Sequence, residues 1–134
     1  MSQTEQTRGK NKHIFMVNRS AELLEVVRGL LQDEEYNVTT TNFVPETFDQ
    51  VAALDPDLLI IDLVIGQRSS WALLERLTAD ATMHRIPIIV LSTNADLLEE
   101  AQADPARYGA QRFIRKPFDL EDLLSAVEEL IGRA

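Results

Sequence analysis

Cysteine is absent from the chain. Disulfides and thiolate-held metal sites are therefore excluded, and the absence fits a reducing compartment. Long apolar runs are missing too, since none approaches the roughly 18 residues of a membrane span. The opening MSQTEQTRGKNK has no apolar segment of the kind that directs secretion. Residues 1–12 read as a flexible polar tail, and a cytoplasmic location without membrane contact is expected. Basic residues are few and scattered: 13 Lys and Arg stand against 22 Asp and Glu, a net charge of −9. A nucleic-acid binder needs a basic patch to neutralise phosphates, so no nucleic-acid partner is expected. The acidity favours solubility instead. There is no internal repeat or low-complexity tract, and His13 and His84 have no metal-ligand spacing and read as surface residues.

What is present is 134 residues, 45% hydrophobic and 26% charged, which suits one globular domain with one core over 13–134. Five apolar runs alternate with helical patterns. HIFMV is the first. Ser20 then caps a helix with Leu23, Val26, Val27, Leu30 and Leu31 at helical spacing, ending near QDEE. YNVTTT has the β-branched residues of a strand. Pro45 opens a short helix with Phe48, Val51 and Ala52 inward. DLLIIDL is apolar throughout, as in a strand covered on both faces. Ser69 or Ser70 caps a helix with Leu73, Leu74 and Leu77 inward. IPIIVLS is a fourth strand, and ADLLEEAQAD is a weaker helix that Pro105 stops. QRFIRK is a fifth strand whose arginines suit a sheet edge. Asp119 caps a last helix with Leu120, Leu123, Leu124, Val127 and Ile131 inward, and Asp122 favours its positive start. The acids at 33–35 and 99–100 read as solvated faces.

Alternation of strand and helix predicts an α/β domain, a doubly wound parallel sheet with helices on both faces. In such sheets the working site lies beyond the carboxyl ends of the strands. Asn18, Arg19, Asp62, Ser92 and Lys116 are expected to meet there. Trp71 covers apolar surface nearby.

From these motifs the chain resembles the response-regulator receiver family over residues 13 to 132. PDLLIIDL is similar to the strand that presents the family's phosphate-accepting aspartate, which would be Asp62. PIIVLST is similar to the strand ending in a hydroxyl that contacts the phosphoryl group, here Ser92. GAQRFIRKPFDLEDLLSAV is similar to the last strand and helix, and would supply Lys116, Pro117 after a cis bond, and the switch aromatic Phe113. The resemblance implies a five-stranded flavodoxin-like sheet of order 2-1-3-4-5. It also implies attack by the aspartate on a phosphorus atom, with a magnesium ion and the lysine stabilising the phosphoryl charge. The new phosphoryl group shifts a population between two packings.

This chain departs from the family pattern where magnesium is usually held. Asn18 and Arg19 replace the acidic pair, Gly66 stands in place of a common proline, and Ser70 in place of a common glycine. DPARY interrupts the usual fourth helix. Magnesium wants several oxygen ligands, carboxylates among them, so weak or absent binding is expected, with no other cofactor. Arg19 either lies in solvent or pairs with Asp62 in the vacated metal position. In the second case it either blunts attack or helps Lys116 hold a phosphoryl group without metal.

The expected function is that of a stand-alone receiver in a two-component phosphorelay, not an enzyme beyond self-catalysed phosphoryl acceptance and hydrolysis at Asp62. Its partners would be a histidine kinase or phosphotransfer protein, and a downstream target that docks on about residues 95–131. The main alternative is a pseudo-receiver that acts as an interaction module without phosphorylation. A remote alternative is a small flavodoxin-like enzyme that binds a cofactor. VNRSAE, with no glycine and one hydroxyl, argues against that last case. Oligomeric state is not legible.

Overall fold

Two apolar runs, Leu58–Asp62 (β3) and Ile88–Ser92 (β4), are buried at every position. A strand covered on both faces has no solvent side on which polar residues would alternate. The computed structural model describes residues 11–42, 47–63 and 68–133. Around these two strands the chain runs β1 (His13–Val17), α1 (Ala21–Asp33), β2 (Asn37–Thr41) and α2 (Thr47–Leu54) before β3. Then come α3 (Arg68–Ala79), β4, α4 (Ala95–Ala103), the short α5 (Pro105–Tyr108), β5 (Arg112–Arg115) and α6 (Leu120–Ile131). All pairings are parallel, in the order β2-β1-β3-β4-β5. The class and strand order are those expected.

Alternation along the strands divides the core into two layers. Ile14, Met16, Leu58, Ile60, Ile89 and Leu91 pack against Leu24, Val27 and Leu31 of α1 and Leu123, Ala126 and Val127 of α6. Phe15, Val17, Leu59, Ile61, Ile88 and Val90 pack against Val51 of α2, Trp71, Leu74 and Leu77 of α3, and Leu98 of α4. The sheet is therefore enclosed by helices on both sides, and its polar residues are left to the strand ends and edges. Arg112 and Arg115 stand exposed on the edge strand β5, as their charge suggested.

Several local expectations change. The buried stripe of α1 is Leu24, Val27 and Leu31, and Val26 is 51% exposed. In LLEVV adjacent apolar pairs leave the helix phase open, and residue 26 falls about 100° per residue away from the Val27 stripe. Ala52 of α2 is exposed, whereas Val51 is buried and Phe48 lies 3.9 Å beneath the Arg76 guanidinium. Ser69 and Ser70 are not caps, because both lie inside α3. Arg68, Ser69 and Ser70 are all polar, although Ser70 is fully buried, so nothing in the apolar pattern held the start in place. Pro105 does end α4, but it also opens α5 at its first position, where a missing N–H costs nothing. Asp119 holds the N-cap position of α6 without a side-chain hydrogen bond. The expected roles of Pro45 and Gly66 and the tail over 1–10 lie outside the described residues.

Caps at the site end are better defined. Asn94 Oδ1 accepts from the backbone N–H of Leu97 at 3.1 Å and starts α4 directly after β4. Asn94→Ala is expected to lower stability by about 1 kcal/mol, read from the urea midpoint at unchanged slope.

Candidate functional site

Register sets the site. Val17 pairs with Ile61, so one further step places Asn18 beside Asp62. Asp62 pairs with Leu91, and Ser92 with Arg115, so the ends of β1, β3, β4 and β5 lie level. Residues 14, 16, 58, 60, 89, 91 and 114 belong to the α1/α6 layer. Continued by one step, that alternation carries Asn18, Asp62 and Lys116 to one side of the sheet end. Phe113, half-buried beside Val90, packs against the other layer.

Asp62 is 3% exposed, and Lys116 Nζ approaches its Oδ1 to 2.6 Å. The approach is off-axis, so Oδ1 has an ion pair without a well-aligned hydrogen bond. Burial pushes the Asp62 carboxyl above its usual range, and Lys116 works against that shift. Lys116 is held there through its backbone, whose N–H donates to the Ser92 carbonyl at 2.8 Å and extends the ladder beyond β5. The Lys116–Pro117 bond is cis, as expected.

Ser92 is fully buried. Its Oγ donates to the Leu63 carbonyl at 2.7 Å and accepts from the Asn94 N–H at 3.1 Å. The hydroxyl thus ties the residue after Asp62 to the start of α4. Sequence reasoning missed the Leu63 carbonyl, because a backbone acceptor leaves no mark in residue type.

Asn18 is 1% exposed. Its backbone N–H donates to the Thr41 carbonyl at 3.1 Å, and its side-chain Oδ1 accepts from the Ser20 N–H at 2.7 Å. This side-chain turn takes Asn18 inward and leaves Arg19 outside. Arg19 is exposed and forms no ion pair among the described residues, so it does not pair with Asp62. The cation against Asp62 is Lys116. Burying a second, larger cation beside one carboxylate would cost more desolvation than it returned in attraction.

Other candidates lie elsewhere. Trp71 is a core residue, edge-on to Tyr108 with ring centroids 4.8 Å apart and planes at 71°. His13 opens β1, at the opposite end of the sheet. It is half-buried rather than on the surface, with Nε2 2.7 Å from Thr39 Oγ1, and burial lowers its pKa against the pull of Asp57. His84 is exposed. Among the described residues no three His, Cys, Asp or Glu side chains gather as a metal site, and no helix is long and apolar enough to cross a membrane.

A family model for the response regulator receiver domain matches residues 14–128. The chain belongs to that family, the receiver domains of two-component signal transduction. It is similar to hybrid signal transduction histidine kinase D of Dictyostelium discoideum, 27% identical over 118 residues that cover 88% of this chain and 7% of that protein. It is also similar to the cell cycle response regulator CtrA of Brucella ovis, 22% identical over 121 residues, 90% of this chain and 50% of CtrA. The chain thus spans half or less of the length of these curated relatives. The solution structure of a response regulator protein from Burkholderia multivorans superposes with a TM-score of 0.72 at 25% identity, covering 92% of this chain and 98% of that one. The receiver domain of a sensor histidine kinase from Pseudomonas aeruginosa, with magnesium in its active-site cleft, gives a TM-score of 0.77 at 20% identity, covering 91% and 98%.

Proposed function

We propose that Asp62 accepts a phosphoryl group from a phosphohistidine on a histidine kinase or phosphotransfer protein, and that this receiver works with weak magnesium binding or none. The observation that carries the reading is a buried carboxylate at the end of β3 with Lys116 Nζ at 2.6 Å. A carboxylate oxygen forms the new bond to phosphorus as the phosphorus–nitrogen bond breaks, and the imidazole leaves with the electron pair. Lys116 then turns from the carboxylate to the phosphoryl oxygens, where charge has gathered. The Ser92 hydroxyl leaves the Leu63 carbonyl for the same oxygens. The half-buried Phe113 on the neighbouring strand follows, and the surface over about residues 95–131 changes for a downstream target. The chain is no enzyme beyond this self-catalysed acceptance and the later hydrolysis, and it acts in the cytoplasm.

Among the described residues, the donors around Asp62 do not fit a magnesium ion. Asp62 is one carboxylate and already faces a lysine, and Asn18 Oδ1 is engaged by the Ser20 N–H. Magnesium requires near-octahedral oxygen donors and is normally drawn by more than one negative group. The chemistry is therefore assigned to the side chains themselves.

Incubation with acetyl phosphate, with magnesium or with EDTA, tests this by intact mass. One phosphoryl group is expected on the wild type under both conditions, and none on Asp62→Asn. A folded wild type that gains no mass in either condition would overturn the reading and leave a phosphorylation-independent interaction module.

A further inference from the structure

Resting on that reading, we propose that Asn18 is a hydrogen-bond donor to the phosphoryl group on Asp62, where an acid would instead hold a cation. The amide has only one possible orientation. The Ser20 N–H, a donor, meets it at 2.7 Å, so the atom on that side must be the oxygen. The NH2 group therefore occupies the other side. Nδ2 is enclosed and has no hydrogen-bond partner among the described residues. A buried donor in that state calls for an explanation, because enclosed amide groups are nearly always paired.

Position supplies the explanation. Asn18 lies one register step beyond the Val17–Ile61 pair, beside Asp62. A carboxylate there would offer only acceptors and draw a cation. The amide keeps one acceptor for the turn and presents N–H groups, which suit an oxygen anion. Three non-bridging oxygens arrive when Asp62 is phosphorylated, and Lys116 supplies one cation for them. Asn18 keeps its protons throughout and contributes a hydrogen bond alone. The bond made is carboxylate oxygen to phosphorus, the bond broken is phosphorus to the donor's leaving atom, and the leaving group takes the electron pair.

The test uses the full chain with acetyl phosphate and follows the rate of mass gain in EDTA and in magnesium. Asn18→Asp keeps shape and the acceptor for the Ser20 N–H but loses the donor. Its metal-free labelling is expected to fall about a hundredfold, the size of effect seen when one oxyanion donor is removed, and magnesium should now accelerate it. Asn18→Ala should slow labelling similarly without gaining a response to magnesium, and thermal melts confirm that each variant is folded. The magnesium response of the aspartate variant is a readout that a purely structural role would not produce. Asn18→Asp that labels in EDTA at the wild-type rate overturns the donor role and leaves the Asp62 reading standing. A wild type that takes no label removes both.

Discussion

Lys116→Met is expected to cost about 3 kcal/mol of stability near neutral pH, because removing one partner of a buried ion pair leaves the other charge uncompensated. Lys116 Nζ lies 2.6 Å from a carboxylate that is 3% exposed, and methionine keeps most of the stem while losing the charge. The pH dependence identifies the cause. Burial raises the Asp62 carboxyl and Lys116 opposes it, so without the lysine only the raising influence remains. A carboxyl raised in the folded state keeps its proton there after the unfolded chain, at an ordinary value near 4, has released it. Below the unfolded value both states are protonated and the variant loses little. As pH climbs from there to the folded value the folded state loses stability, and above it the loss is constant. Urea unfolding of wild type and variant between about pH 4 and 8 should therefore show a gap that widens with pH. A gap of equal size at every pH would assign the loss to packing. Adding Asp62→Asn should recover most of it, since the amide carries no charge to strand, and the double-mutant cycle isolates the pair.

The same ion pair links stability to chemistry. A lysine that neutralises the resting carboxylate is the cation a phosphoryl group would recruit, so the loss of Lys116 should also slow phosphoryl acceptance. On the proposed reading, the electrostatic stabilisation held in the resting Lys116–Asp62 pair would be redirected to a phosphoryl group on Asp62.

How much of this was legible in the residues depends on what sets each feature. β3 and β4 were legible because burial on both faces forces an unbroken apolar run. Strand alternation was enough to bring Asp62, Ser92 and Lys116 to one end of the sheet, and the structure places them there. The strand order came from resemblance to a family, because no residue of a strand names its neighbours. On α1, Val27 and Leu31 face inward as expected, but Leu24 was passed over and Val26 misplaced, because adjacent apolar residues fit two faces equally. The identity of the cation beside Asp62 was also not legible. Arg19 and Lys116 have the same charge and both follow a strand end, and the choice between them is made by a side-chain turn at Asn18 and by desolvation. Neither of those leaves a pattern in spacing. The orphaned Asn18 amide was likewise invisible, since it follows from which of its two ends the Ser20 N–H meets.

Gly109→Ala is expected to destabilise the protein by about 2–4 kcal/mol, summing a left-handed backbone penalty of about 1 kcal/mol and an overpacking cost of about 1–3 kcal/mol. Gly109 ends α5 with φ at +52°, and its N–H donates to the Pro105 carbonyl at 2.9 Å. A Cβ there would lie 2.6 Å from Thr78 Oγ1 and 3.0 Å from Thr78 Cγ2. Thr78 is a short β-branched side chain on α3, with few rotamers open to it in a helix, so it cannot swing aside as a long chain would. The contact is where α3 supports the approach to β5, whose ladder begins two residues on with the Gln111 N–H to the Ile88 carbonyl at 2.9 Å. Displacing that turn should loosen the edge strand that carries Phe113 and leads to Lys116, so limited proteolysis of Gly109→Ala should cut near residues 109–112 before the wild type is cut. Combining Gly109→Ala with Thr78→Ala separates the two causes. The clash disappears and the backbone cost remains, so the double variant should be more stable than Gly109→Ala alone and still less stable than Thr78→Ala. If the double variant matches Gly109→Ala instead, the positive φ alone dictates glycine at this turn and the close approach of α3 has no energetic consequence.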